Sequence, residues 1–284
     1  MWALITNFLI VLFLIFGIAS RVLAYTERAL VLHFVIVNPI GQKIDNVHFY
    51  TYLPLSTPWQ DLIKWQTSCE DYQIISDDLG NSILDCHFSE IFPYAQIPVT
   101  IWVWLKVEDQ PKANNKFSNY LNYVNFPGQE MPEIKKLASK LKREDSYLTA
   151  KNIYLWIRNN IKFVDFVSKP LDISQILKIK QGDCTEGMSL FLALSQAAGV
   201  KSLGFAGYLI FKNGYVNPVM FHNWAIFYAR SKWVIVDPKR GVFDSNYEDY
   251  VAFTIIGKRQ KECPIGIYER FKVVPRPIKA KQTY

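Results

Sequence analysis

The chain is poor in the residues that build small cross-linked or metal-dependent proteins. It holds 4 cysteines and 4 histidines in 284 residues, and so few cysteines in a chain of this length exclude a small disulfide scaffold. No CxxC, HxxH or HExxH spacing occurs, which argues against a zinc centre. A glycine-rich phosphate loop, internal repeats and low-complexity segments are also absent. We therefore expect neither a metal nor a cofactor.

Charged residues are also sparse, at 20 %, whereas 50 % of the residues are hydrophobic and 15 % are aromatic. This composition excludes global disorder, a collagen-like chain and a coiled coil. At roughly 150 residues per domain, the length corresponds to about two domains with sizeable cores.

The net charge of +7 is unevenly distributed along the chain. Residues 25–109 carry four basic and eleven acidic side chains, and residues 110–257 carry nineteen and twelve. Residues 258–284 carry eight and two. The pattern favours two modules that dock on each other, followed by a basic tail that is either solvated or in contact with an anionic envelope surface. We do not expect a nucleic-acid partner.

The N-terminus has the features of an export segment. Twelve apolar residues run from Phe8 to Ala19, and Val22 and Ala24 provide the small residues of a cleavage site after position 24. The run is shorter than the roughly 20 residues of a spanning helix. We interpret residues 1–24 as a signal peptide, or as a membrane anchor if they are retained, and we expect a periplasmic or extracellular protein.

Residues 25–108 are predicted to form an antiparallel β-domain of the sandwich type, because apolar runs rich in Val, Ile, Phe, Tyr and Trp alternate with turn signals. The predicted strands are 29–37, 47–53, 83–88 and 97–107. Cys69 and Cys86 lie on either side of the turn at 78–81, so they could meet across a hairpin. We predict a disulfide between them, with two buried free thiols as the alternative.

Residues 109–131 are polar and are interpreted as a linker, and the apolar period becomes helical after Pro132. Asp172 is suited to capping a short helix. A further helix begins at Cys184 and ends before Gly199. The helices expected before Cys184 span 132–141, 146–161 and 173–179.

The strand pattern returns at 203–211, 222–229 and 233–237. If Arg230 and Ser231 alone form the loop between the last two strands, Trp224 lies opposite Asp237, and His222 shares the face of Asp237. A loop of odd length would place the histidine and the aspartate on opposite faces. We predict the even loop, or a bulge that has the same effect.

This order of elements can build a thiol catalytic centre. The free N–H groups and the dipole at a helix start stabilise a thiolate at Cys184. His222, which is the only histidine after residue 107, can transfer the proton, and Asp237 can hold its far ring nitrogen. The backbone N–H of Cys184 can stabilise an oxyanion. Taken singly, each residue also fits a structural role.

Four motifs in this order resemble the core of the transglutaminase-like superfamily. They are GDCTEGMSLF at 182–191, AAGV at 197–200, HNW at 222–224 and VDP at 236–238, and the similarity covers about residues 130–245. The resemblance implies a papain-like fold at 132–257 and an α+β protein overall. It assigns Cys184 as nucleophile, His222 as base and acid, and Asp237 as orienting residue. The leading β-domain is similar to modules that precede this core in bacterial members.

Two further roles, with three candidate residues, are open at the sequence level. Gln175 and Trp156 are the candidates for a second oxyanion donor, although each is also explained as a helix residue. Trp224 is a candidate for the wall of a substrate groove, although aromatic residues in such strands more often belong to the core.

The function predicted from the sequence is acyl transfer on an amide of a protein or peptide through a Cys184 thioester, with hydrolysis favoured slightly over crosslinking. The alternative is a catalytically silent envelope-binding module that uses the β-domain and the basic tail. A third possibility, compatible with the first, is that the β-domain masks the active-site groove.

Overall fold

The computed structural model describes residues 25–112, 126–257 and 263–284. The predicted export segment at 1–24 and residues 113–125 of the predicted linker lie outside these ranges. The described helices are α1 (Pro132–Leu141), α2 (Ser146–Asn160), α3 (Ile173–Ile179) and α4 (Cys184–Ala197). The strands up to α4 are β1 (Tyr25–Val37), β2 (Ile44–Tyr52), β3 (Gln60–Thr67), β4 (Tyr72–Ser76), β5 (Ser82–Ile91), β6 (Gln96–Glu108), β7 (Lys162–Phe163) and β8 (Gln181–Gly182). After α4 follow β9 (Ser202–Leu209), β10 (Gly214–Tyr215), β11 (Phe221–Ala229), β12 (Lys232–Asp237), β13 (Val242–Phe243), β14 (Tyr250–Ile256), β15 (Phe271–Val274) and β16 (Lys279–Thr283).

The first six strands contribute to two packed sheets, so the predicted N-terminal β-sandwich is confirmed. One sheet has the order β10-β1-β6-β3 with β16 also paired to β1, and the other has the order β15-β2-β5-β4. Alternate residues of β1 point into the space between the sheets, because side chains on a strand alternate between its faces. Leu30, Leu32, Phe34 and Ile36 are all buried there.

The strands β3 and β4 were not predicted from the sequence. Each lies at the edge of its sheet, and their residues are mostly exposed or half-buried. Polar and charged side chains are common on edge strands, where they oppose pairing with other chains. The regular apolar alternation on which the prediction relied is therefore missing.

Cys69 and Cys86 form a disulfide bond, with Cα atoms 5.9 Å apart. The bond joins the segment between β3 and β4 to the middle of β5, and both cysteines are buried. It thus links chain segments at the edge and in the interior of the sandwich.

The structure differs from the expectation of a basic tail at 258–284. Within the described part of this segment, β15 pairs with β2 and β16 pairs with β1. The pairing places one C-terminal strand in each sheet of the sandwich. The side chains of Lys272, Lys279 and Lys281 on these strands are exposed. The basic residues of this segment therefore lie on the exposed sides of strands.

The second half of the molecule has helices packed on an antiparallel sheet of order β13-β12-β11-β9-β14. α4 is central, because its residues from Glu186 to Ser195 are all buried, as expected for a helix that is apolar on every side. The arrangement is the predicted papain-like core, and the α+β fold class is confirmed.

Each face of this sheet has a different neighbour. Phe227 and Val236 pack among the helices. On the opposite face, Trp224 and Ile235 belong to a cluster that includes Trp59 of the N-terminal domain. The two halves of the molecule therefore share a hydrophobic core, and the N-terminal domain lies against the side of the sheet that faces away from the helices.

The hairpin between β11 and β12 has the predicted register. Ala229 lies opposite Lys232 and Ala225 lies opposite Val236. Arg230 and Ser231 both have positive φ, 52° and 63°, as a two-residue turn of type I′ requires. The even loop predicted from the sequence is confirmed.

Among the described residues, the structure contains no helix with the length and apolar character that crossing a membrane requires.

Candidate active site

Cys184 is the first residue of α4 and is half-buried. Asp183 precedes it as the N-cap and accepts a hydrogen bond from the N–H of Thr185 (2.8 Å), while Glu186 accepts one from the N–H of Asp183 (2.8 Å). This reciprocal capping box begins the helix at the cysteine. A side chain at Gly182 would collide with Glu186, which explains the glycine two residues before Cys184.

The two capping carboxylates also hold the chain segment that precedes the helix. The N–H of Val167 donates to Asp183 Oδ2 (2.9 Å), and the N–H of Leu171 donates to Glu186 Oε1 (3.0 Å). Burial raises the pKa of Glu186, against the lowering effect of the N–H groups of Asp183 and Leu171. These carboxylates therefore have a structural role at the start of α4.

His222 and Asp237 lie side by side at the ends of β11 and β12. His222 Nε2 and Asp237 Oδ2 are 2.6 Å apart, and the two side chains are only 8 % and 1 % exposed. The Cys184 thiol lies close enough to the imidazole to contribute, with Asp237, to raising the pKa of His222. Because Nε2 is held by the aspartate, Nδ1 is the ring nitrogen left for the thiol. The structure thus brings the three predicted residues together in the order Cys184, His222, Asp237.

The electrostatics of this group favour a protonated imidazole. Burial of His222 disfavours the charged ring, but the hydrogen bonds with Asp237 and Cys184 outweigh burial and raise the pKa of His222 to about 9. Burial would raise the pKa of Asp237, but its bond with His222 and the donors described below hold it under the usual value. A thiolate–imidazolium pair requires a protonated imidazole, and these surroundings of His222 favour that charge state.

Two donors from outside the predicted triad complete the bonding of Asp237. The Tyr250 hydroxyl donates to Oδ2 (2.8 Å), and the backbone N–H of Arg240 donates to Oδ1 (3.1 Å). Burial, followed by the charge of Asp237, raises the pKa of Tyr250, which keeps its hydroxyl protonated. Sequence reasoning missed Tyr250, because a tyrosine that opens an apolar strand has no local feature that distinguishes it from a core residue.

A second contact connects α4 to β11 next to the triad. The Asn223 amide donates to the Thr185 hydroxyl (2.8 Å), so the neighbours of the histidine and of the cysteine are joined to each other. Asn223 is 4 % exposed, and a buried amide needs such a partner. The contact fixes the distance between the helix start and the strand.

The position of Trp224 contradicts its candidate role in a substrate groove and supports the alternative of a core residue. The indole is fully buried and packs against Phe205 and Tyr250, with ring centroids 6.2 and 5.1 Å apart. It lies on the sheet face that the N-terminal domain covers. Trp224 lies on the same face of β11 as His222 because the two residues are two positions apart along the strand. It lies further from the end of the strand and is covered, so it belongs to the core.

The two candidates for a second oxyanion donor differ in their surroundings. The Gln175 side chain accepts from the N–H of Asp172 (3.0 Å) in the capping box of α3, so its carbonyl oxygen is committed to that helix start. Trp156 is half-buried and packs against the helical cluster around α4.

Cys263, the other free cysteine, is half-buried next to the sandwich core.

The remaining histidines lie in the N-terminal domain, away from the thiol. His48 pairs with Asp85 (2.8 Å), His87 pairs with Asp71 (2.7 Å), and His33 contacts the Thr283 hydroxyl at 2.6 Å. Across the described ranges, no group of three or more His, Cys, Asp or Glu side chains is arranged to hold a metal ion.

Comparison with protein families places these residues in a known context. Residues 135–238 match the model of the transglutaminase-like superfamily, an interval that includes Cys184, His222 and Asp237. The chain is similar to a candidate cysteine protease of known structure from Cytophaga hutchinsonii, with a TM-score of 0.58, 16 % identity and coverage of 92 % of this chain and 90 % of that chain. This likeness concerns the fold.

Two further proteins show partial similarity. The periplasmic domain of TgpA from Pseudomonas aeruginosa aligns with a TM-score of 0.37 and 15 % identity, covering 74 % of this chain and 90 % of that domain. The NAD(+) hydrolase TcpC from Escherichia coli O6:H1 is 26 % identical over 121 residues. That alignment covers 34 % of this chain and 39 % of the length of TcpC, so this chain spans well under half of that relative.

Proposed function

Because residues 135–238 form a transglutaminase-like domain, we propose that the protein is a cysteine enzyme that transfers the acyl group of an amide through a thioester at Cys184. The observation that carries the proposal is the buried His222–Asp237 pair, 2.6 Å apart, against a cysteine that opens a helix. Hydrolysis of the thioester is favoured over transfer to a second amine.

The first half of the reaction forms the thioester. The Cys184 thiolate attacks the amide carbonyl, and the backbone N–H of Cys184 donates to the resulting oxyanion, since N–H groups in the first turn of a helix have no partner within it. The imidazolium of His222 then gives its proton to the departing nitrogen as the C–N bond breaks. The amine leaves, and the acyl group remains on sulfur.

The second half releases the acyl group. Neutral His222 takes a proton from water, whose oxygen attacks the thioester carbonyl, and the C–S bond breaks to give a carboxylic acid and the Cys184 thiolate. If an amine attacks in place of water, the product is a new amide. Asp237 holds His222 through Nε2 in both halves and stabilises the imidazolium.

We place the substrate among proteins or peptides and the enzyme outside the cytoplasm. The disulfide between Cys69 and Cys86 supports this location, because disulfides persist in oxidising compartments. The signal peptide proposed at residues 1–24 supports the same location. Exposed lysines on β15 and β16 are the basic groups that we propose to face an anionic envelope surface.

The thiol chemistry is tested by the rate at which iodoacetamide labels Cys184, followed by mass spectrometry from pH 5 to 10. We expect rapid labelling of the wild-type protein near neutral pH and slow labelling of His222→Ala, because the variant lacks the cation that stabilises the thiolate. Equal and slow labelling of both proteins would contradict the proposal and favour the silent binding module.

The acyl acceptor is tested with casein as amide donor, with and without a fluorescent primary amine. Hydrolysis predicts new N-termini or released ammonia that does not depend on the amine, whereas crosslinking predicts fluorescent casein. Cys184→Ala is the control for both readouts, since it removes the nucleophile. Amine incorporation that exceeds hydrolysis would overturn the preference for water.

A further inference from the structure

Tyr250 holds the same oxygen of the Asp237 carboxylate that His222 contacts. Its hydroxyl lies 2.8 Å from Oδ2, the oxygen that His222 Nε2 also contacts at 2.6 Å. Oδ1 is held independently by the N–H of Arg240 at 3.1 Å. Each oxygen thus has a donor that does not belong to the imidazole. The carboxylate cannot rotate about its Cβ–Cγ bond without breaking one of these bonds, so the acceptor direction offered to His222 is fixed.

The N-terminal domain in turn holds the strand that carries Tyr250. The Trp59 indole N–H donates to the Tyr250 carbonyl (2.9 Å). The Gln60 side chain donates to the Ala252 carbonyl (3.0 Å) and accepts from the Ala252 N–H (2.9 Å). One amide side chain therefore takes the place of a neighbouring strand along β14. All four residues are at most 1 % exposed, where hydrogen bonds of this kind are costly to leave unmade.

We propose that Tyr250 is a positioning residue of the acyl-transfer site, held by Trp59 and Gln60, whose hydroxyl fixes Asp237 and through it the orientation of His222 toward Cys184. This inference rests on the function proposed above. It gives the N-terminal domain a supporting role behind the triad.

The test compares Tyr250→Phe with Tyr247→Phe. Tyr247 is also fully buried, and its hydroxyl also donates to a carboxylate, Asp244 Oδ1 (2.8 Å), but that carboxylate does not contact His222. Both variants lose the hydroxyl–carboxylate bond of a buried tyrosine, so both lose stability, although Asp244 is more exposed than Asp237. Only Tyr250→Phe changes the bonding of the triad.

The readouts are the iodoacetamide labelling rate of Cys184 between pH 5 and 10 and, on an amide substrate, the separate values of kcat and KM. For Tyr250→Phe we expect the labelling rate near neutral pH and kcat both to fall by on the order of ten-fold, with KM unchanged. A change of this size is the equivalent of one hydrogen bond to a charged group. For Tyr247→Phe we expect both values to match the wild type.

Each outcome separates this inference from the proposed function. If the wild-type protein itself is labelled as slowly as His222→Ala, the proposed function is contradicted. Rapid labelling of wild type with equal rates in the two tyrosine variants would overturn only the role of Tyr250.

If Tyr250→Phe does not fold, as judged by near-ultraviolet circular dichroism, Trp59→Phe provides the second test. It keeps an aromatic ring in the core and removes the bond to the Tyr250 carbonyl. We expect a two- to three-fold slower labelling of Cys184. An unchanged rate in the folded variant would overturn the proposal.

Discussion

The two halves of the molecule each contain a buried aspartate bonded to a histidine, and the two pairs have similar geometry. In the catalytic half, His222 and Asp237 are 2.6 Å apart; in the N-terminal half, His48 and Asp85 are 2.8 Å apart. The aspartate side chains are 1 % and 4 % exposed. Neither the distance nor the burial of the carboxylate distinguishes the two pairs.

The difference lies in the other neighbours. His222 is 8 % exposed at its side chain and has Cys184 as a second partner, whereas His48 is 24 % exposed and stacks near the Tyr50 ring. The second oxygen of Asp85 accepts from the Gln73 amide (2.9 Å), which has no connection to a nucleophile. In this molecule the histidine–aspartate pair that is a candidate catalytic unit is the one whose imidazole is buried and lies next to a thiol.

The sharpest test of this comparison replaces each aspartate by asparagine. We expect Asp237→Asn to lower kcat on an amide substrate by on the order of 10³-fold, because asparagine has no negative charge to stabilise the imidazolium and can impose the wrong tautomer on the ring. Asp85→Asn should leave kcat within two-fold of the wild type. The measurement is steady-state kinetics of the two folded variants.

A large loss of kcat in Asp85→Asn would break the comparison, since it would mean that the outer face of the sandwich contributes to the reaction. A small loss in Asp237→Asn would show that His222 is held in place without its carboxylate.

Local patterns were enough to predict the three central residues. The apolar run after Cys184 predicts the helix that begins there. The two-residue turn at Arg230 and Ser231 predicts that His222 and Asp237 lie on the same face of the sheet. The motifs that contain them supplied their roles. Each of these signals lies within about 20 residues of sequence, where periodicity and turn chemistry are informative.

The supporting residues could not be predicted, because their partners are distant in sequence. Trp59 contacts Tyr250 across 191 positions, and neither residue has a local signal for that contact. For the same reason Trp224 was considered for a groove: a strand pattern shows that two residues share a face but does not show what covers it. The sequence predicts a tail at 258–284 because eight basic and only two acidic side chains characterise this segment, and the strands β15 and β16 within it are only four and five residues long.

The second prediction concerns the stability of the N-terminal domain, which does not contain Cys184. Replacing Cys69 and Cys86 together by alanine opens a loop of 17 residues, and the chain-entropy estimate for a loop of this size is about 3 kcal/mol of unfolding free energy. Urea unfolding measures the change. While the variant remains folded, the labelling rate of Cys184 should match that of the wild type.

A change in that rate at constant folded fraction would show that the disulfide influences the site through the contacts between Gln60 and β14. A loss of stability well under 1 kcal/mol would show that the disulfide restricts the unfolded chain little beyond what residual structure in that chain already does.

The third prediction concerns the charge of His222. Its pKa, raised to about 9, lies above the usual value of about 6.5. The stabilisation from the protonated ring is therefore fully present below about pH 6.5 and is lost as the pH rises through about 9. In Cys184→Ser we expect a lower pKa of His222, because one of the two partners that favour the charged ring is removed.

NMR titration of the four histidine rings measures this directly, and the assignment of His222 follows from the signal that is absent in His222→Gln. The unfolding free energy, followed from pH 6 to 10, should decline over the same interval. A His222 ring that titrates near 6.5 in the wild type would contradict the proposed thiolate–imidazolium pair.

The smallest expected effect concerns the contact beside the triad, between the Asn223 amide and the Thr185 hydroxyl. Thr185→Val keeps the shape of the side chain and leaves the buried amide without that partner, so we expect a loss of about 1–2 kcal/mol of unfolding free energy in urea. Cys184 and His222 keep their own contact and their carboxylate support, so labelling of Cys184 should slow by no more than two- to three-fold. A loss of ten-fold or more would place Asn223 and Thr185 among the groups that position the thiol, and it would show that the spacing between α4 and β11 matters as much as the bonding of Asp237.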